Sequence, residues 1–172
     1  RATLGGNICN ASPAADTSPP LLALDAQVVV QGPGGERQMP LAQLWAGPRR
    51  TTLAPGELLT ALLLPPVAHS GGSNSDISHS GSSHSGAYSG NAFTRLTRSA
   101  MDIALVNAAA ALTLDGAGHL TTIRIALGAV GPTVLAVPGL EALLGTKVDD
   151  LKGVPQEGIA QERNAALLTR IR

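Results

Sequence analysis

Residues 3–26 read TLGGNICNASPAADTSPPLLALDA, Thr3 to Ala26, and the reading of the whole chain hangs on this stretch. The adjacent Gly5 and Gly6 let the backbone approach a ligand closely and adopt conformations closed to other residues. Ser12-Pro13 has the form of a helix N-cap followed by proline at the first helical position. The spacing predicts a helix from there into Leu21, Leu22 and Leu24, which would bury one face. A helix start at Ser12 would aim free N–H groups outward, a setting that suits a phosphate. Asn7, Asn10, Ser12 and Asp16 add short polar groups able to orient the hydroxyls of a nucleotide. On the residues alone, a tight turn followed by a well-capped helix explains the same pattern without any ligand.

Working outward, Gln27–Gln31 (QVVVQ) is a β-branched strand, and Gly32-Pro33-Gly34-Gly35 turns it back toward a partner strand over Glu36–Met39. That turn has neither the GxGxxG nor the Walker pattern. Leu41–Trp45 suits a short helix, and ELLTALLLP (57–65) suggests a turn of helix running into a strand. Residues 68–91 are dominated by Ser and Gly, with His-Ser-Gly at 69, 79 and 84. Such a composition buries too little apolar surface to offset its ordering entropy, so a flexible insertion is expected. Beyond it, Ala92–Thr97 is strand-like, and periodicity leaves Ile103–Leu114 open between strand and helix. Asp115–Gly118 is a hairpin turn into a strand over Thr121–Val130. Pro138–Leu144 is a short helix closed by Gly145, and the tail from Ala160 to Ile171 has helical propensity. The expected class is α+β, with small antiparallel sheets and packed helices.

The 172 residues are 44% hydrophobic and 14% charged, enough apolar material for a core and too little charge for disorder. Twelve basic and twelve acidic residues cancel, so nothing steers the chain to nucleic acid or an anionic membrane. No apolar run reaches the roughly 20 residues of a membrane span. The N-terminus lacks both an initiator Met and the pattern of a signal peptide, which suggests a processed or excerpted piece. A lone Cys9 excludes an internal disulfide framework and a cysteine-ligated metal site, so a cytoplasmic setting is expected.

Residues 3–26 closely resemble the second half of the FAD site in the flavoprotein component of the molybdenum hydroxylases, the xanthine dehydrogenase and carbon monoxide dehydrogenase family. There a Gly-Gly-Asn turn and a downstream Ser-Pro-x-x-Asp contact the flavin nucleotide, and order and spacing match across the stretch. APGELLTALLLP (54–65) resembles the segment whose leucines pack on the flavin, which implies Leu58 or Leu59. RSAMDIALVNAAAALTLD (98–115) and TTIRIALGAVGPTVLA (121–136) resemble the start of the family's C-terminal domain. The resemblance implies the second half of a PCMH-type FAD-binding domain over 1–67, a Ser/Gly/His insertion over 68–91, and a CO-dehydrogenase-flavoprotein-like domain over 92–172. It implies FAD contacts at Thr3, Leu4, Gly5, Gly6, Asn7, Ser12 and Asp16, with Leu59 against the flavin. Where the family often has a lysine beside the flavin, this chain has Thr94 and Arg95, and Arg95 is the substitute cation. An upstream subdomain would hold the pyrophosphate, so these residues are expected to carry roughly half a site and to be inactive alone. The implied function is electron transfer from [2Fe–2S] clusters through FAD to an external acceptor. An iron–sulfur partner and a molybdenum-cofactor partner complete the implied enzyme.

No residue here is needed as a general acid or base, and none is assigned to a metal. His69, His79 and His84 could ligate a divalent ion, but a solvated linker explains them better. The serines and histidines crowd into that same tract without a Gly-x-Ser-x-Gly elbow, which disfavours Ser–His–Asp hydrolysis. Cys9 is read as a small apolar residue and Arg49-Arg50 as a solvated pair. The alternative to a flavoprotein is a docking module that binds partner subunits and no flavin.

Overall fold

The computed structural model describes residues 3–66 and 87–151. The three histidines of the 68–91 insertion and the helix expected over 160–171 lie outside the described residues. The described chain is α+β, as expected, with one three-stranded, one two-stranded and one four-stranded antiparallel sheet.

Thr3 caps a first helix, α1 (Leu4–Cys9): its backbone is extended (φ −110°, ψ 154°) and its Oγ1 accepts the Gly6 N–H at 3.0 Å. The Gly-Gly-Asn stretch is therefore helical rather than a turn. The predicted helix at Ser12-Pro13 does not form. Ala11 is left-handed (φ 48°), the Ser12 carbonyl accepts the Ala15 N–H, and the chain runs through an open turn to α2 (Ser18–Ala23). Pro19 gives this second start the same fixed φ that Pro13 offered the first. Tertiary bonds decide between them. Thr17 donates its hydroxyl to Asn7, and Asn107 donates to the Ala15 carbonyl, which holds 12–17 open.

β1 (Gln27–Gly32) pairs antiparallel with β2 (Gly35–Pro40) on one side and β5 (Leu58–Leu63) on the other. Val28, Val29 and Val30 are all buried, which marks β1 as a central strand covered on both faces. The turn between β1 and β2 needs Gly35 at φ 105°. Residues 57–65 contain no helical turn: pairing with β1 satisfies the backbone of Leu58–Leu63 as strand. A 3₁₀ turn (Leu41–Leu44) leads into β3 (Trp45–Gly47) and β4 (Arg50–Thr51), which pair with each other.

The four-stranded sheet runs β6 (Tyr88–Leu96), β7 (Val106–Leu114), β8 (Leu120–Gly128) and β9 (Leu135–Ala136). β6 begins at Tyr88 rather than Ala92, because β7 is long enough to pair it throughout. The pairing settles the 103–114 run as strand from Val106 onward. Asp115 closes the β7–β8 hairpin by accepting the N–H groups of Ala117 and His119, each at 2.9 Å. A 3₁₀ turn (Leu140–Leu143) ends near the left-handed Gly145 (φ 81°), and α3 (Val148–Leu151) follows. No helix among the described residues is long and apolar enough to cross a membrane.

One core joins the two larger sheets. Ile8, Val28, Val30, Leu41 and Leu44 are fully buried and cluster with Ala109, Ala126 and Val134. α2 lies across β7 and β8, so the first part of the chain packs on one face of the second sheet. Truncating a fully buried leucine removes contacts and leaves a cavity, so Leu44→Ala should cost about 2–5 kcal/mol. Leu58→Ala, at a side chain 70% exposed, should leave stability nearly unchanged. Chemical denaturation of both variants checks the pair.

Candidate functional site

The candidate site is the surface made by α1, the open turn after it, β5 and the near end of the second sheet. Thr3 and Gly6 are exposed, whereas Gly5, Asn7, Ser12, Asp16 and Leu59 are half-buried. Leu4, 48% exposed, projects from the start of α1. A Cβ built on Gly5 would lie 3.6 Å from Leu59 Cδ2, in ordinary contact, so Leu59 sits directly beside the glycine pair. Leu58 alternates to the other side of β5, which assigns the contact with α1 to Leu59. A Cβ on Gly6 would stand 2.8 Å from Thr3 Oγ1, so a side chain there collides with the helix cap.

Asp16 and Arg95 meet, although 79 positions separate them: the Arg95 guanidinium donates to the Asp16 carboxylate, and its Nη2 donates to the Ala100 carbonyl at 3.1 Å. Asn7 is joined to this group through Thr17, whose hydroxyl it accepts. The structure thus brings Thr3, Gly5, Gly6, Asn7 and Leu59 together at α1, and Asp16 with Arg95 at the sheet. Ser12 lies on the turn between them.

Sequence reasoning missed the groups that hold this loop from behind. Trp45 Nε1 donates to the Ile8 carbonyl (3.1 Å), Arg49 N to Ala11 (3.0 Å), Ala129 N to Pro13 (2.8 Å) and Asn107 Nδ2 to Ala15 (3.3 Å). In VNAAAALTL Asn107 is the one amide in an alanine-rich strand, but nothing local shows which group it meets.

The loop is half-open rather than a closed pocket. The cavities of about 400 and 330 Å³ open elsewhere, around Arg124 and β8, and neither is lined by the predicted flavin residues. Cys9 is free and partly buried, and burial pushes its thiol pKa up, which disfavours the reactive thiolate. Among the described residues no three His, Cys, Asp or Glu side chains gather as a metal site would require.

Comparison with known proteins supplies the family. Residues 1–67 match the family described as the FAD binding domain in molybdopterin dehydrogenase, and 91–154 match the CO dehydrogenase flavoprotein C-terminal domain. The chain belongs to the flavoprotein family of the molybdenum hydroxylases. One relative in that family, the putative xanthine dehydrogenase FAD-binding subunit of Escherichia coli K12, is 35% identical over 134 residues, covering 77% of this chain and 39% of that protein. The carbon monoxide dehydrogenase medium chain of Afipia carboxidovorans is 32% identical over 150 residues, 86% of this chain and 45% of its own length. A solved flavoprotein-family structure, carbon monoxide dehydrogenase from Hydrogenophaga pseudoflava lacking the Mo-pyranopterin moiety, superposes with a TM-score of 0.71 at 28% identity. It covers 91% of this chain and 46% of that one. The chain therefore spans less than half the length of each of these proteins.

The strand that carries Leu59 is fixed by an ion pair at its entrance. Arg37 donates twice to Glu57, Nε to Oε1 and Nη2 to Oε2, each at 2.8 Å, and the Ala54 N–H donates to Oε2 at 2.7 Å. The Arg37 fork first, and then the Ala54 N–H, hold the Glu57 carboxyl down to about 2 from an ordinary 4.5. A depressed carboxyl pKa stabilises the fold above the unfolded value, and that contribution disappears as pH falls through the folded value. Glu57→Gln should therefore lower the melting temperature at neutral pH. The gap to wild type should close between about 4.5 and about 2; a gap constant over that window would exclude the ion pair as its cause.

Proposed function

We propose that the protein containing this chain binds FAD noncovalently and serves as the electron-transfer flavoprotein of a molybdenum hydroxylase. The single observation that carries the reading is the α1 surface. It puts a Cβ-free pair, a helix cap and short polar side chains on an open face beside an apolar leucine. Such a surface fits one side of a flavin nucleotide. Gly5 and Gly6 permit close approach of backbone, Leu59 offers an apolar contact, and Thr3, Asn7, Ser12 and Asp16 supply polar ones. Leu4, exposed at the rim, extends the apolar contact, and Arg95 places a cation beside Asp16. Because the surface is open, the remainder of the cofactor's contacts would come from elsewhere in the protein.

When bound, FAD would supply the redox chemistry, taking electrons from a [2Fe–2S] partner and giving them to an external acceptor. This chain's part is to hold and orient it, with no side chain acting as acid or base. The molybdenum-cofactor partner, the division into 1–67, 68–91 and 92–172, and a cytoplasmic setting belong to the same proposal; the setting rests on the lone Cys9.

A docking module without flavin is the second reading. The β6–β7 hairpin favours it, with Leu96, Met101, Ile103 and Leu105 exposed at 60%, 95%, 77% and 54%. The visible absorbance of the purified complete subunit separates the two: a flavin band near one per subunit supports the first, and its absence with a folded circular dichroism spectrum supports the second. Gly6→Val should abolish flavin retention while leaving that circular dichroism intact, because the new side chain strikes Thr3 and fills the approach to the backbone. Unchanged flavin content in Gly6→Val would sink the assignment of α1.

A further inference from the structure

Three residues form a row across the second sheet: Arg95 on β6 lies opposite Asn107 on β7, which lies opposite Gly128 on β8. Asn107 is 1% exposed, one of two buried polar residues among those described. Its Nδ2 donates to the Ala15 carbonyl at 3.3 Å and lies 3.4 Å from the Asp16 carboxylate. Its Oδ1 has no N–H or O–H partner. A Cβ on Gly128 would stand 1.9 Å from that oxygen, so the Cα–H of Gly128 points at it and no side chain fits between them. The same Cβ would lie 3.0 Å from the Pro13 carbonyl oxygen, and the next residue, Ala129, donates its N–H to that carbonyl at 2.8 Å.

A buried amide is costly unless its polar atoms are engaged. An alanine at 107 would continue the run Ala108–Ala111 without that cost. What the amide adds is orientation. With its oxygen wedged against Gly128, its donor can face only the Ala15–Asp16 backbone and the Asp16 carboxylate. Arg95 takes the other side of that carboxylate.

We propose that Asn107 is a positioning residue of the flavin site: locked by Gly128, it sets the backbone and carboxylate direction of Asp16 together with Arg95. The proposal rests on the flavin reading above, and wild-type flavin content tests that reading on its own. A complete subunit that holds no FAD overturns both.

Given flavin in the wild type, the test is Asn107→Asp in the complete subunit. This change keeps size and the oxygen toward Gly128 but turns an acceptor toward Ala15 and Asp16. The charged groups facing position 107 are Asp16 on the loop and Arg95 on β6, and Gly128 brings none from β8. Two facing carboxylates should weaken FAD binding by about tenfold or more at neutral pH, the scale of a lost buried hydrogen bond. Affinity should return as pH falls and the pair takes up a shared proton, while wild type stays flat over the same range. Asn107→Asp with wild-type affinity, or with a loss independent of pH, overturns the proposal. Should that variant fail to fold, Asn107→Ala suits the alanine-rich strand. Saturated with FAD, it should show altered visible flavin circular dichroism, which a purely structural role would leave unmoved. A band identical to wild type overturns the proposal.

Discussion

The structure depends on the capture of one loop's carbonyl groups. Beyond α1, from Asn10 to Ala15, the chain is neither helix nor strand, so its backbone polar groups have no ladder to satisfy them. Four groups from distant parts of the chain accept this task. The Trp45 indole takes Ile8, the Arg49 amide takes Ala11, the Ala129 amide takes Pro13 and the Asn107 side chain takes Ala15. Each bond is modest by itself, about 1 kcal/mol net. Together they fix which way the loop faces. Carbonyls point inward to protein donors, and the side chains of Asn7, Ser12 and Asp16 are left at the surface. A polar loop is thereby fastened to the rest of the fold at four points.

This capture ties the small β3–β4 sheet to the four-stranded sheet. Two of the four donors come from the small β3–β4 region and two from the four-stranded sheet. The loop can be satisfied only where both are present. Ala109 and Ala126 bring small side chains to the shared core, and α2 lies close against β7 and β8. Small residues on that face trade buried apolar area for proximity, and the larger apolar groups, Ile8, Val28, Val30, Leu41 and Leu44, lie on the partner side.

Much of this was legible in the sequence wherever the signal was local. The Val28–Val30 run, the Gly-rich turn after it and the Asp115–Gly118 hairpin declare themselves through side chains that act on their own neighbours. The errors fall where distant groups decide. Ser12-Pro13 has every local feature of a helix start, yet Thr17–Asn7 and Asn107–Ala15 hold that stretch open and defer the helix to Ser18. One miss is local: the Gly-Gly pair looks like a turn, yet Thr3, three residues before Gly6, caps it into helix. ELLTALLLP has helical propensity, and pairing with β1 overrides it. The composition of the candidate site was legible; its support was not. Nothing near Asn107 in sequence tells that it meets Asp16, because that fact belongs to strand register and to a separation of 91 residues.

The same division bears on which changes a site of this kind tolerates. At the exposed face a side chain such as Ser12 is half-surrounded by solvent, and exchanging it disturbs little packing. Behind the loop the tolerance is narrower, since Gly128 has no room for a Cβ, and Asn107 has no room to turn its amide without setting its oxygen toward the Ala15 carbonyl. Constraint is therefore as severe behind the loop as at the glycine pair on its surface. A reading that looks only for polar residues near a glycine pair finds the surface and passes over the wall that aims it.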